Sequence, residues 1–310
     1  MGQQEVNNNY KLIWYRALIV STRPKQWIKN LIIYLALLFT VGESWDLNNV
    51  EGILRLSARS TVAFVMFCVI TASVYIINDV LDRDKDQHHP EKQNRPIAAN
   101  KIGIKLALMF AGMISIVGVL GSYLLSPASF LIAIGYFALM ILYSIYLKQI
   151  VIIDVITISL GFIIRAVAGA VAIGVSVSPW LYVCTGLAAL FIGFSKRLSE
   201  KTSAQQDGYL QRETLREYSV EFLHQLIAIS ATSSLLAYTL YTFSSPNLPT
   251  NNTMMLTIPF VVYGLIRYLF LVSSRNLGES PEEIILKDFP LQLSVVAWLL
   301  VSISVLIYYR

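Results

Sequence analysis

One stretch of the sequence holds an amide and three carboxylates at a helical spacing, directly after an apolar run from Thr61 to Ile77. These side chains belong to Asn78, Asp79, Asp82 and Asp86. At about 100° per residue, a helix through this stretch places them within about one third of its circumference, with Asp84 on the far side. Carboxylates held that close repel each other unless a cation lies between them, and hard oxygen ligands beside a phosphate are typical of Mg²⁺. The spacing therefore predicts a metal site with Asp79, Asp82 and Asp86 as its ligands.

The elements that must position these side chains are membrane spans. Of the 310 residues, 55% are hydrophobic and 14% are charged, and the mean hydropathy is +0.60. Soluble domains carry about 25% charged residues, so the composition indicates an integral membrane protein. A solvated, charged helix end would show the same acidic spacing. Ionisable groups at the end of a membrane span tend to mark a ligand path, however, which favours the metal site.

The net charge and the cysteines argue against two kinds of site. The formal net charge of +5 is too small to indicate a nucleic-acid-binding protein. Cys68 and Cys184 both lie in apolar runs, with no second cysteine near either. We expect these thiols to pack in the interior and to form neither a disulfide nor a metal site.

The apolar runs predict the fold class. Nine runs are interpreted as membrane spans, and the first follows the segment 23–30 and ends near Val41. The others lie near residues 57–78, 103–125, 128–147, 152–174, 179–195, 222–243, 254–273 and 291–309. We therefore expect an all-α, polytopic bundle of nine transmembrane helices that forms one domain over residues 23–310. A polar segment, residues 1–22, precedes it and includes a short apolar stretch that suits the membrane surface.

The distribution of lysines and arginines predicts the orientation. With the loops assigned, Arg55, Arg59 and Arg310 lie on one side, Arg165 lies inside a span, and the other twenty basic residues lie on the opposite side. By the positive-inside rule, the amino terminus and the charged loops after the second, fourth, sixth and eighth spans are cytoplasmic. We expect the active site at the cytoplasmic face of the cell (inner) membrane.

A buried arginine is predicted in the middle of the fifth span. Arg165 lies eleven residues after Asp154, which brings the two side chains to nearly the same helix face, about three turns apart. An arginine at that depth requires a partner or a polar ligand. Two interpretations remain open: a buried ion pair with Asp154, or a contact between Arg165 and a ligand phosphate. Gly161 and Gly169 flank Arg165 at a spacing of four, so that face allows a backbone or a ligand to approach closely.

Other basic and aromatic side chains occur near the predicted cytoplasmic loops. Lysine and arginine bind phosphate oxygens without an intervening metal, so a phosphorylated substrate is one interpretation of these groups. Juxtamembrane bases are also common as topology signals or lipid headgroup contacts. The candidate substrate-binding residues are Lys25, Lys29, Arg83, Lys92, Arg95, Tyr143, Lys148, Asp154, Arg165, Lys196 and Arg197.

The acidic stretch resembles a motif of the intramembrane prenyltransferases of the UbiA superfamily. Asn78, Asp79, Asp82 and Asp86 match its pattern N-D-x-x-D-x-x-x-D residue by residue. The resemblance extends over about residues 23–293. It implies an all-helical fold of the UbiA type with nine spans, in which these four residues are catalytic and the motif holds Mg²⁺ and the diphosphate of the donor.

A second acidic motif of the superfamily, D-x-x-x-D after the sixth span, is missing from this sequence. Lys196, Arg197 and Glu200 stand in its place. One branch of the superfamily transfers 5-phosphoribose from phosphoribosyl diphosphate to a polyprenyl phosphate. The sequence resembles that branch in these bases and in the segments 23–30, 94–99 and 281–288. That resemblance implies release of diphosphate and dependence on Mg²⁺ as cofactor.

Charge complementarity fits this reaction independently. A lipid phosphate is already ionised at neutral pH and needs no general base, and a metal ion stabilises a leaving diphosphate. Two rival functions are considered: Mg²⁺-dependent prenyl transfer from a polyprenyl diphosphate to an aromatic or other acceptor, and lipid transport. Against transport, the charged groups gather on one side, and no pair of broken segments indicates an inverted repeat.

Overall fold

Helices make up the regular structure of this protein. The computed structural model describes residues 15–90, 92–207, 213–275, 278 and 281–309. These residues contain no β-strand, only an isolated bridge between Val41 and Trp45, so the all-α prediction is confirmed. The α-helices in chain order are α1 (Leu35–Phe39), α2 (Val50–Leu81), α3 (Arg83–Gln87), α4 (Ile104–Gly121), α5 (Pro127–Ile145), α6 (Ile153–Ile173), α7 (Pro179–Asp207), α8 (Thr214–Glu217), α9 (Val220–Ser244), α10 (Ile258–Arg275), α11 (Pro281–Lys287) and α12 (Phe289–Tyr309). The 3₁₀ helices are Pro24–Tyr34, Lys92–Asn94, Ser122–Leu124, Leu147–Gln149 and Thr253–Thr257.

Eight segments of the described chain are long and apolar enough to cross a membrane. They match the second to ninth predicted spans and are Val50–Leu81, Ile104–Leu124, Pro127–Ile145, Ile153–Ile173, Pro179–Ala204, Val220–Ser244, Thr253–Ser273 and Phe289–Tyr309. The first predicted span, which follows residues 23–30, consists of the end of the 3₁₀ helix Pro24–Tyr34 and the five residues of α1. A 3₁₀ helix rises about 2.0 Å per residue and an α-helix about 1.5 Å, so the two together reach at most about 30 Å. Because only eight segments of the described chain meet the length and apolarity of a span, the count of nine is not confirmed, and a ninth crossing stays a prediction.

The structure divides into two units, and the first comprises residues up to 30 together with residues 62–147. The end of α2, the loop after it and α4 share a buried apolar core that includes Ile76, Ile97 and Ala107. A Cβ atom on Gly118 would lie 2.6 Å from Cγ1 of Ile70, so glycine at this position lets α4 approach α2 closely. This packing fixes the end of α2 that carries the acidic motif.

The second unit comprises residues 31–61 and 148–310. In this unit α7 packs against α6 and α9, and α10 packs against α12. A Cβ atom on Gly169 of α6 would lie 2.0 Å from the carbonyl oxygen of Ile33. The close approach predicted for this face of α6 is therefore found at Gly169, and the group that approaches there is main chain. The single domain predicted over residues 23–310 stays a prediction.

Candidate functional site

The acidic motif extends across the junction between α2 and α3, which meet at Asp82. Backbone hydrogen bonds keep the α-helical pattern through this junction. The amide of Asp82 donates to the carbonyl of Asn78 at 2.9 Å, and the amide of Asp86 donates to the carbonyl of Asp82 at 2.8 Å. The helical spacing therefore persists, so that Asp79 and Asp86 are buried, whereas Asp84 has 90% of its side chain exposed.

Two arginines neutralise the buried carboxylates of the motif. Nη2 of Arg23 donates to Oδ1 of Asp79. Nη1 of Arg95 lies 3.2 Å from the same oxygen of Asp79 and 2.6 Å from Oδ2 of Asp86. The side chains of Arg23 and Arg95 remain 24% and 26% exposed. One guanidinium nitrogen thus bridges two carboxylates, and we name Arg23, Asp79, Asp86 and Arg95 the Arg–Asp cluster.

Arg23 reaches the cluster from an uncommon backbone conformation. Its φ of 51° lies in the left-handed region that residues other than glycine rarely adopt, and it precedes Pro24, the first residue of a 3₁₀ helix. Its guanidinium carbon lies 5.0 Å from the centroid of the Tyr75 ring, one turn before Asp79, which suits a cation–π contact. Arg23 is not among the candidate site residues predicted from the sequence, because neither its φ nor its pairing with a residue 56 positions away leaves a pattern in the sequence.

The other candidates of the first unit make different contacts. Nζ of Lys29 donates to Oε1 of Gln26. Nη2 of Arg83 donates to Oδ1 of Asn100 at 2.7 Å, and Nη1 of Arg83 lies 3.7 Å from a carboxylate oxygen of Asp84. The substrate-binding roles of these two bases stay predictions, as do those of Lys25, Lys92 and Tyr143.

The oxygen donors of the motif suit Mg²⁺, which proteins usually bind through one or two carboxylates together with water and phosphate oxygens. Asp79 and Asp86 already face one positively charged nitrogen, so both carboxylates converge on a position for a cation. Oδ2 of Asp82 instead accepts a hydrogen bond from the Asn78 amide at 2.9 Å. Among the residues that the structure describes, no three acidic, histidine or cysteine side chains are grouped to hold a metal ion. Of the three predicted ligands, Asp79 and Asp86 converge on one position, whereas Asp82 pairs with Asn78, and the role of all three as magnesium ligands stays a prediction.

A second group of charged side chains lies in the interior of the second unit. Oδ2 of Asp154 accepts from Nε of Arg197 at 2.7 Å, and Oδ1 accepts from the Tyr218 hydroxyl at 3.0 Å. Nη1 of Arg197 donates to Oε2 of Glu200 at 2.5 Å. All four residues are buried, and Arg197 is only 1% exposed. We name Asp154, Arg197, Glu200 and Tyr218 the buried network.

Of the two interpretations of Arg165, the ion pair with Asp154 does not agree with the contacts that Asp154 makes. The carboxylate of Asp154 is taken by Arg197 and Tyr218. Eleven residues of an α-helix rise about 16 Å, which is farther than an aspartate and an arginine side chain can bridge. Arg165 is itself buried, and its guanidinium carbon lies 5.0 Å from the centroid of the Phe162 ring. Its contact with a ligand phosphate stays a prediction.

Lys196 and Arg197 are adjacent in the sequence, but only Arg197 belongs to the buried network. Arg197 directs its N–H groups at two carboxylates and is shielded from solvent, so its geometry supports a structural role instead of the predicted phosphate contact. Lys196 keeps 32% of its side chain exposed, and its Nζ lies 4.0 Å from Oε1 of Glu200. The substrate-binding roles of Lys196 and of Lys148, which is half-buried, stay predictions.

The same network holds a strained turn immediately before α6. Ile152 has φ 69° and ψ −46°, which is rare for a β-branched residue. The amide of Ile153 donates to the carbonyl of Val151 at 2.8 Å and closes a γ-turn around Ile152. The amide of Ile152 donates to the Tyr218 hydroxyl at 2.7 Å. Burial raises the pKa of Tyr218, as does the adjacent Asp154 carboxylate, so this hydroxyl stays protonated and donates to Asp154.

An apolar cavity of about 380 Å³ lies within the second unit. Most of the residues that line it are apolar, and the serine, threonine and asparagine residues among them are Thr40, Ser176, Ser178, Thr185, Ser234, Ser245 and Asn247. The aromatic side chains in its wall are Phe39, Phe162, Trp180, Tyr238, Tyr241 and Trp298. This lining suits a hydrocarbon group in preference to a charged one.

Comparisons with known proteins relate the chain to one family. The sequence profile of the UbiA prenyltransferase family matches residues 50–284. A decaprenyl-phosphate phosphoribosyltransferase of Mycolicibacterium smegmatis is 33% identical over 293 residues, which cover 91% of this chain and 90% of that protein. A protein of the same name from Mycobacterium tuberculosis is 32% identical over 281 residues, with 91% of each chain covered.

Solved structures with the same fold are more distant in sequence. A UbiA homologue from Archaeoglobus fulgidus bound to GPP and Mg²⁺ superimposes with a TM-score of 0.70 at 17% identity and covers 94% of this chain and 99% of that one. A digeranylgeranylglyceryl phosphate synthase has a TM-score of 0.61 at 20% identity, with 95% and 99% covered. At these identities the likeness establishes the all-helical fold and carries no further assignment.

Proposed function

The chain belongs to the UbiA prenyltransferase family, and from that premise we propose that this multi-pass membrane transferase moves 5-phosphoribose from phosphoribosyl diphosphate to a polyprenyl phosphate. The proposal follows the name shared by relatives that are 30 to 33% identical over most of both chains. Phosphoribosyl diphosphate is the donor, a decaprenyl-like phosphate is the acceptor, and diphosphate is released.

The Arg–Asp cluster is the observation that carries this proposal. Asp79 and Asp86 supply buried carboxylates, and Arg23 and Arg95 supply guanidinium groups beside them. A donor that contains a diphosphate requires both kinds of group: oxygen ligands for magnesium and paired N–H donors for phosphate oxygens. A transporter would not require them together at one site.

The proposed reaction is a displacement at the anomeric carbon of the ribose. An ionised oxygen of the lipid phosphate forms a bond to that carbon while the bond to the diphosphate breaks, and the electron pair leaves with the diphosphate. Because no proton must be removed from the acceptor, the protein acts by positioning the two substrates and by stabilising charge. Arg23 and Arg95 would orient phosphate oxygens through their N–H groups. Magnesium held by Asp79 and Asp86 would supply charge neutralisation of the leaving group.

We propose that the reaction takes place at the cytoplasmic face of the cell membrane. The motif lies at the carboxyl-terminal end of α2, next to a loop that carries Lys92 and Arg95. Basic loops of this kind mark the cytoplasmic side in the positive-inside rule. The lipid tail requires apolar surroundings, which the exposed apolar side chains of the spans supply.

The test is a transfer assay with purified protein, Mg²⁺, labelled phosphoribosyl diphosphate and a polyprenyl phosphate. We expect a labelled lipid, and none when magnesium is chelated. A parallel reaction supplies a labelled polyprenyl diphosphate and an aromatic acceptor. Label transfer in that reaction alone would contradict the proposal and identify the chain as a prenyltransferase in the narrow sense.

A further inference from the structure

The position that a metal would occupy between Asp79 and Asp86 is filled by arginine. Arg95 Nη1 lies within hydrogen-bonding distance of both carboxylates, and Arg23 donates to one of them. Two positive and two negative side chains therefore balance each other in the Arg–Asp cluster. Removing the guanidinium groups without replacement would leave two buried negative charges, which is strongly unfavourable.

We propose that Arg23 and Arg95 are exchangeable counter-ions. Without ligands they neutralise Asp79 and Asp86, and when magnesium takes the carboxylates they transfer to the oxygens of the donor's diphosphate. The inference rests on the proposed function and adds to it an order of events at the same site: the residues that bind the diphosphate are also the residues that keep the metal site neutral when it is empty.

The charges support this exchange. One Mg²⁺ carries the same positive charge as two guanidinium groups, so the carboxylates stay balanced when the arginines leave. The released arginines bring two positive charges to a diphosphate, which arginine binds through paired N–H groups. Since about a quarter of each arginine side chain is exposed, 24% for Arg23 and 26% for Arg95, a ligand can reach both groups from solvent.

Exchange predicts cooperative binding of metal and diphosphate. Magnesium alone must displace both arginines and leave them without an anion, so it binds weakly. Diphosphate alone must draw the arginines away from buried carboxylates, so it also binds weakly. Each ligand therefore raises the affinity for the other. Thermodynamic linkage requires magnesium to raise the affinity for diphosphate by the same factor as diphosphate raises the affinity for magnesium.

The experiment measures Mg²⁺ binding by calorimetry in detergent, with and without inorganic diphosphate, on the full chain. The variants are Arg95→Gln and Arg23→Gln, and the matched control is Arg16→Gln, an exposed arginine of the same unit. For Arg95→Gln we expect magnesium alone to bind at least about tenfold more tightly than in the unaltered protein, because a competing charge-assisted contact is removed. We expect the enhancement by diphosphate to fall by at least about tenfold, while Arg16→Gln changes neither quantity.

Arg95→Lys provides a second readout if the glutamine variant is too unstable to measure. Lysine keeps the charge but replaces the planar guanidinium by a compact, strongly hydrated ammonium on a flexible stem, so magnesium alone should bind more tightly and diphosphate should still enhance it. Weaker or unchanged magnesium binding in all of the arginine variants would overturn the exchange. These measurements need no acceptor lipid, so the exchange can fail in an active phosphoribosyltransferase, and the transfer assay can fail in a protein whose arginines exchange.

Discussion

The Arg–Asp cluster and the buried network both pair arginine with carboxylates, but only the first leaves its arginines partly exposed. Arg23 and Arg95 keep about a quarter of their side chains in contact with solvent, 24% and 26%, whereas Arg197 keeps 1%. A buried pair of this kind costs several kcal/mol to break, because a charge is left without a partner. Solvent exposure therefore distinguishes Arg23 and Arg95, which can exchange a carboxylate for a ligand, from Arg197, which supports the fold.

The largest predicted effect is on activity, in the Arg–Asp cluster. Asp79→Asn removes one of the two carboxylates that would hold magnesium, and we expect turnover to fall at least about 10⁴-fold, or ~5 kcal/mol. The variant should still insert and fold, since asparagine keeps the shape of the side chain. Turnover is measured by transfer of label from phosphoribosyl diphosphate to the lipid.

Asp84→Asn is the matched control for this substitution. Asp84 lies on the same stretch, but 90% of its side chain is exposed. We expect its turnover to stay within about twofold of the unaltered protein, because exposed charges contribute little. Equal losses in the two variants would contradict the assignment of Asp79 to the site and leave only a general effect of charge.

The next effect is on stability, in the buried network. Arg197→Leu leaves Asp154 and Glu200 without their arginine, and we expect the free energy of unfolding to fall by about 3 to 4 kcal/mol. Adding Asp154→Leu should recover part of that loss, because one of the stranded charges is then removed. Chemical denaturation in detergent measures both quantities.

Measurements of diphosphate binding on the same variants test whether Arg197 has a structural role or binds a ligand. If Arg197→Leu kept its stability and instead lost binding of inorganic diphosphate, Arg197 would be a ligand group and the buried network would be part of the substrate site. The structural role requires the opposite pattern: a loss of stability, with diphosphate binding unchanged in the protein that remains folded.

The sequence predicted the elements of the fold because hydrophobic length and helical spacing are local signals. Eight apolar runs coincide with the observed spans, and the spacing of Asn78, Asp79, Asp82 and Asp86 persists through the junction of α2 and α3. The first run was read by length alone, and length does not distinguish a 3₁₀ helix from an α-helix. The predicted first span, after residues 23–30, therefore begins within the 3₁₀ helix Pro24–Tyr34, and its crossing of the membrane stays a prediction.

The partners of the charged residues could not be predicted because they are distant in the chain. Arg197 and Tyr218 lie 43 and 64 residues from Asp154, and helical spacing reports only neighbours on one helix. Spacing therefore suggested Arg165 as the partner of Asp154, on the same face but about three turns away. The γ-turn at Ile152 was also invisible, since a β-branched residue gives no sign of a positive φ.

A smaller loss of stability is expected at Tyr218, which joins the buried network to the γ-turn. Tyr218→Phe removes the hydroxyl that donates to Asp154 and accepts from the Ile152 amide. We expect a loss of about 1 to 2 kcal/mol, because a buried donor and a buried acceptor each lose a partner. Since burial raises the pKa of Tyr218, its hydroxyl is protonated at neutral pH, and the loss should be the same from about pH 6 to pH 9. A loss that varies over this range would indicate that another group is responsible.

The smallest expected effect is the coupling energy between Asp154 and Arg165, which both lie on α6. Its size tests whether Arg165 interacts with the buried network. The carboxylate of Asp154 is taken by Arg197 and Tyr218, and Arg165 lies about 16 Å away along the helix axis. Sites that far apart with no shared partner change stability additively, so the coupling energy in a double-mutant cycle of Asp154→Asn and Arg165→Gln should be below about 0.5 kcal/mol. The cycle is measured by chemical denaturation, beside the cycle of Asp154 with Arg197 as the positive reference. A coupling energy of similar size in both cycles would show that Arg165 also interacts with the charge of Asp154. The buried network would then not be limited to its four residues, and its contrast with the Arg–Asp cluster would no longer hold.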